Sequence, residues 1–240
     1  MILTSFKTDA DAVKPEFLFR FTPTLENYTN MTDNYDYWRF ATNSVITSTF
    51  ATLFALVVGV PAAYAMAFDP SRHTKDILMW MLSTKMLPAA AVLYPMTFLT
   101  KSLGLYDTHF MVIVVLCLIN LPIVIWMLFT YFKEIPKEII EAGQMDGVNT
   151  WGEIREILIP LAWGGIASTA LLCFIFCWNE AYWTVRLTTT EAATLSALIE
   201  GNRAPEGLFF GRLSAVSAAD KPNILFIFSD DHAYQAISAY

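Results

Sequence analysis

The chain has 240 residues, of which 55% are hydrophobic and only 15% charged, and its mean hydropathy of +0.46 lies outside the usual soluble balance. A lipid-embedded chain is the reading this favours. The formal charge of -7 supplies no basic stripe for phosphate contacts and argues against nucleic acid as a partner.

Residues 1–40 are polar and aromatic, with Pro15 and Pro23 as breakers, and read as a segment on one side of a membrane. A bilayer crossing takes roughly 20 mostly apolar residues, and four stretches qualify. The first, about residues 41–68, is rich in Ala, Gly, Ser and Thr, which lets helices approach closely and predicts a span facing other helices more than lipid. The second, about 77–99, holds Pro88, Pro95 and the charge of Lys85. The third, about 110–132, holds Asn120 beside Leu121-Pro122, and the fourth runs from about 161 to 185. Short charged links, "DPSRHTKD" and "KSLGLYD", join the first three as hairpins. None of the apolar runs resembles a cleaved signal peptide. Lysines and arginines fall on both sides of the spans, so the charge rule does not choose an orientation. Cys117, Cys173 and Cys177 lie inside apolar runs, where a thiol packs as a small hydrophobe. Cys173 and Cys177 share a helix face, but without nearby His or further Cys no metal site is expected.

Between the third and fourth stretches the chain turns polar: "EAGQMDGVNTWGEIREILIP". Pro136 suits the first turn of one short helix, and Asp146-Gly147 supplies its stop, glycine tolerating a left-handed conformation. Thr150 and Glu153 have the spacing of a capping box opening a second helix, on which Trp151, Ile154 and Ile157 form an apolar stripe. The chain is therefore expected to fold back at Gly147. Ala142 and Gly143 leave one surface almost bare, open to another backbone or a partner groove.

Glu141-Ala142-Gly143, then Asp146-Gly147, then Ile157-Leu158-Ile159-Pro160 resembles the EAA loop of binding-protein-dependent ABC importers, with Gly143 in place of the second Ala and Ile159 in place of Leu. "MILTSFKT", "FTPTLENYT", "NSVITSTFATLFALVVGVPAAYAMA", "WNEAYWTVRLT" and "PEGLFFGRLSA" resemble the sugar and polyol permease branch of the same group over about residues 1–215. The resemblance implies an all-α polytopic membrane helix bundle of the ABC importer permease type, multi-pass in the bacterial inner membrane. It implies a cytoplasmic loop at about 133–160 that docks in a cleft of the ATPase through Glu141, Ala142, Gly143, Asp146 and Gly147. Its implied partners are a second permease subunit, ATP-binding subunits, an extracytoplasmic solute-binding protein and membrane lipid. No cofactor is expected on this chain, with ATP and Mg held by the ATPase subunits, and no enzymatic activity of its own.

Compared with that family, the first and last spans are expected to be missing. This divides the chain into an extracytoplasmic segment 1–40, a permease domain 41–215 and a tail 216–240. Within the tail, about residues 220–240, "DKPNILFIFSDDHAYQAISAY", resemble the opening strand of sulfatases, whose paired aspartates would correspond to Asp230 and Asp231. Neither the sulfatase nucleophile motif nor further metal ligands follow, and two aspartates alone make a poor divalent site, so no metal site is expected here unless the chain extends further. A truncated chimera without transport activity, or the membrane-anchored start of a sulfatase-like hydrolase, are the rival expectations. Within the spans, Lys85 and Asn120 are candidates for the solute pathway, since polar groups inside a bilayer tend to face a bundle interior or water-filled path. Trp178, Asn179 and Glu180, at the end of the fourth span, are candidates for a substrate or gate contact, against the simpler reading of an interface anchor.

Overall fold

The computed structural model describes residues 5–8, 22–29 and 36–201; the tail expected to resemble a sulfatase strand, with Asp230 and Asp231, lies outside them. The described residues are helical, without strands. They fall into two units, one drawn from Met1–Val45 and Asn179–Tyr240, the other Ile46–Trp178.

The second unit carries the long apolar elements. Helix α1, Tyr37–Phe68, starts in the first unit and continues into the second. Thr47, Ala51, Ala55, Gly59, Ala63 and Ala67 recur every four residues along it and are all buried. Such a row lies along one face of a helix. Gly59 shows why the row is small: a Cβ there would come within 2.9 Å of Val124 on a neighbouring helix. The opposite face, with Phe50, Leu53, Phe54, Val57 and Val58, is exposed. The span therefore divides its surface by side-chain size instead of facing mainly other helices.

The stretch expected to cross as one second span is instead two helices, α2 (Thr74–Lys85) and α3 (Ala89–Ser102), bent by 87°. Pro88 explains the break. Its ring disfavours helical backbone at the preceding residue and removes an N–H, and it sits as the N-cap of α3 with φ −59° and ψ 120°. α2 packs against α4 (His109–Lys133), a 25-residue helix opened by the Thr108 side chain, which accepts from the Met111 N–H at 3.3 Å. Pro122 lies inside α4 without ending it.

After α4 come α5 (Lys137–Met145), α6 (Thr150–Leu161) and α7 (Trp163–Asn179). α6 and α7 meet at 85° across Ala162, so the fourth span is shorter than expected and begins after a corner. By length and composition α1 and α4 can each cross a membrane, and the number rises to four if each bent pair is one span. α7 packs closely on α4 at Gly165, where a Cβ would lie 2.6 Å from Cγ of Tyr131. Cys117, Cys173 and Cys177 are buried and unoxidised.

In the first unit, the Asn43 amide on α1 donates to the carbonyls of Glu191 and Ala193 at 2.8 and 2.9 Å, and the Leu195 N–H donates to the Ser44 hydroxyl at 2.8 Å. Arg39 and Glu191 add an exposed ion pair. These bonds hold the start of α1 to the segment before α9 (Leu195–Gly201), which packs on α8 (Tyr182–Leu187).

Candidate functional site

The polar hairpin is built as the sequence suggests at its turn and differently on either side of it. Gly147 adopts φ +81°, the left-handed conformation that an L side chain adopts only with strain, and its N–H and that of Val148 return to the carbonyls of Gln144 and Gly143. This closes α5. The expected capping box at Thr150 and Glu153 does not open α6. Asn149 caps it instead, with extended backbone and a side-chain oxygen accepting from the Gly152 N–H at 2.8 Å.

Glu153 is thereby released for another role. Residues Glu153–Leu158 form a π turn, a wider winding common at functional sites. It places Glu153, Ile154 and Leu158 inward, while Trp151, first in the expected apolar stripe, points out with 70% exposure. The Glu153 carboxylate accepts from the Tyr64 hydroxyl near the end of α1 and from the Gln144 amide at 3.4 Å. No local pattern announces the pairing of Tyr64 with Glu153, which are 89 residues apart.

Gly143 also differs from expectation. A Cβ there would sit 2.5 Å from Cδ1 of Ile157, so its bare surface is filled by the hairpin's own second helix. Glu141, Ala142, Asp146 and Gly147 remain exposed, joined by Met145 at 88% exposure. The outer edge of the hairpin thus combines two carboxylates, a small-residue step and two large apolar side chains, Met145 and Trp151. Sequence reading overlooked Met145 and placed Trp151 on the inner stripe. The signal available for both was two large apolar residues flanking a turn that the chain has no core to cover.

The pathway candidates divide between the units. In the second, Asn120 is 4% exposed and its amide donates to the Leu116 carbonyl at 2.9 Å and to Cys177 Sγ at 3.3 Å, joining α4 to α7. Thr52 on α1 lies against the Cys173 and Cys177 thiols, and Lys85, half-buried at the last turn of α2 just before the 87° corner, is within electrostatic reach of Cys173. A strip of hydroxyl, amide and thiol groups therefore runs through the second unit. Trp178 ends this unit with its ring stacked on Phe174, centroids 5.8 Å apart. Asn179 and Glu180 belong to the first unit, where Glu180 accepts from the Trp183 N–H at 3.2 Å and so caps α8. Among the described residues no group of His, Cys, Asp and Glu is placed to hold a metal ion.

Residues 55–219 match the family described as binding-protein-dependent transport system inner membrane component. A probable ABC transporter permease of Sinorhizobium fredii, y4oR, is 28% identical over 229 residues, covering 95% of this chain and 82% of its own. The trehalose transport system permease SugB of Mycobacterium tuberculosis is 30% identical over 190 residues, covering 79% and 69%. A sulfoquinovosyl glycerol permease of Agrobacterium fabrum, SmoH, is 27% identical, covering 91% and 76%. The fold is similar to that of a chain in a solved bacterial ABC transporter involved in import of the acidic polysaccharide alginate, with a TM-score of 0.70, 21% identity and coverage of 99% and 87%.

Proposed function

We propose that this chain, which belongs to the binding-protein-dependent transport system inner membrane component family, is the permease subunit that forms part of the path for a carbohydrate or polyol in an ATP-driven importer. Family membership makes it a transport subunit and not an enzyme, partnered by an ATPase and a solute-binding protein. The named relatives support the solute class, since those of assigned substrate carry trehalose or a sulfoquinovosyl glycerol. A second permease chain would complete the path, and ATP with Mg would be held by the ATPase subunits.

The observation that carries the coupling role is the exposed edge of the α5–α6 hairpin. A segment between membrane helices that displays Trp151 and Met145 to water is poorly explained as a solvated link, because large aromatic and thioether side chains concentrate in buried interfaces. In this reading Met145 and Trp151 fill apolar recesses of the ATPase, Glu141 and Asp146 meet its polar rim, and the turn at Gly147 sets their spacing. Closure of the ATPase dimer on ATP would pull the hairpin and rock the spans between inward-open and outward-open states. Inside the second unit, Thr52 and Asn120, buried in this state, and the half-buried Lys85 would meet sugar hydroxyls when the spans rock open. Trp178, the last residue of the second unit, would then serve at its end.

Trp151→Asp in the complete transporter tests the docking. Retention of the ATPase on the purified permease complex should fall at least tenfold while membrane insertion persists; unchanged retention would remove the hairpin from the interface. ATP-driven uptake by the wild-type complex, challenged with sugars, polyols and amino acids, tests the solute class.

A further inference from the structure

Glu153 is the one buried acidic side chain among the described residues, at 2% exposure, although its neighbours Arg155 and Glu156 are exposed. Desolvating a carboxylate is unfavourable unless it is paired or hydrogen-bonded. The ion pairs found among the described residues lie elsewhere, at Arg39–Glu191 and His73–Asp76. Neutral donors hold Glu153 instead: the Tyr64 hydroxyl from α1 and the Gln144 amide from α5. A hairpin that only needed to lie on the bundle would satisfy itself with Ile140, Ile154 and Leu158, which are already buried. Apolar contacts of that kind hold two surfaces together but let them slide, because the hydrophobic effect has no direction. A hydrogen bond to a charged acceptor is short and directional, so it fixes position along the contact.

The placement of the bond is specific. Tyr64 lies one turn before the end of α1 at Phe68, is itself buried, and sets its ring against that of Phe68 in a tilted contact with centroids 5.3 Å apart. Glu153 opens the π turn of α6, one turn after the Asn149 cap. α5 and α6 are closed on each other by the contact of Gly143 with Ile157, so a pull on the outer edge of the hairpin moves both.

We propose that Glu153 is a positioning residue that, through Tyr64, passes displacement of the docked hairpin to α1, so that ATPase movement is read by the first long span as well as by α4 and α7. This rests on the docking reading above and extends it to a defined route into the bundle. Gln144 holds the carboxylate from the hairpin side and keeps it aimed at Tyr64.

The test uses the complete transporter in proteoliposomes, with its partner permease, ATPase and binding protein. Tyr64→Phe removes the donor and keeps the ring. Glu153→Met removes the acceptor and leaves no stranded charge, while Glu153→Gln keeps an oxygen for Tyr64. For Tyr64→Phe and Glu153→Met, ATPase retention and basal ATP hydrolysis should stay within about twofold of wild type. Uptake and the stimulation of hydrolysis by loaded binding protein should fall at least tenfold, and Glu153→Gln should keep at least half of both. Wild-type uptake in Tyr64→Phe or Glu153→Met would overturn the proposal. So would loss of ATPase retention in step with uptake, which would make the bond a brace of the hairpin's fold. Failure of the docking reading shows separately, as full ATPase retention in Trp151→Asp.

Discussion

Replacing Gly147 separates the shape of the hairpin from its contacts. The residue sits at φ +81°, and a Cβ there meets nothing within 4 Å, so within this chain the cost of a side chain is conformational alone. For an L-residue that cost is about 1–2 kcal/mol, equivalent to a loss of about 5- to 30-fold in the equilibrium constant between the docking geometry and its alternatives. Alanine should therefore weaken ATPase binding by up to that factor. Valine should weaken it more, its β-branch restricting the backbone further, and asparagine, which tolerates the left-handed region, should stay within about threefold of wild type. Titrating the purified ATPase against permease complexes in nanodiscs reads all three. Equal binding by alanine, valine and glycine would refute the role of the turn. Asparagine binding as weakly as valine would also refute the conformational account, since it would assign the effect to bulk at the contact.

Three other substitutions test the bundle. Gly165→Ala places a Cβ 2.6 Å from Tyr131 Cγ, at the root of the ring where it cannot swing aside; overpacking of about 1–3 kcal/mol should outweigh the gain in helix propensity of about 1 kcal/mol. Thermal unfolding in detergent should show a lowered Tm, and Gly164→Ala, with open space around it, should show none. Asn120→Leu removes the hydrogen bond that the Asn120 amide donates to Cys177, and if Asn120 meets a sugar hydroxyl, transport should weaken by about 1–3 kcal/mol in the affected state. Wild-type uptake with unchanged solute preference would leave Asn120 only its bond between α4 and α7.

The elements that were legible in the sequence are those that depend on local chemistry. Long apolar runs located α1 and α4, and Asp146-Gly147 located the turn, because chain hydropathy and a required positive φ both act within a few residues. Pro88 lies inside the second apolar run, but whether the chain turns through 87° or continues at a proline depends on what packs around it, as the uninterrupted helix through Pro122 demonstrates. At the site, Thr150 and Glu153 had the spacing of a capping box, yet Asn149 took the cap, and the π turn sent Glu153 to Tyr64. A residue-to-residue spacing cannot anticipate a partner on a distant helix. Gly143 failed for the same reason: small size announces a close approach without naming what approaches, and here it was Ile157.

The row of small residues on α1 implies two unlike regimes of substitution on a single helix. From Thr47 to Ala67 the row climbs about 30 Å at 1.5 Å per residue, close to the full hydrocarbon depth of a bilayer. Along it, drift is limited by volume: serine for alanine at Ala51 or Ala55 adds one atom, whereas leucine would wedge α1 away from its neighbours, and at Gly59 even a methyl must displace the Val124 side chain. On the face bearing Phe50, Leu53, Phe54 and Val57, size is nearly free and polarity is the limit. Related chains could therefore diverge widely in the outward residues while their inward residues exchange only among Gly, Ala, Ser and Thr, so that low overall identity along α1 would coexist with an almost unchanged distance between its axis and that of α4.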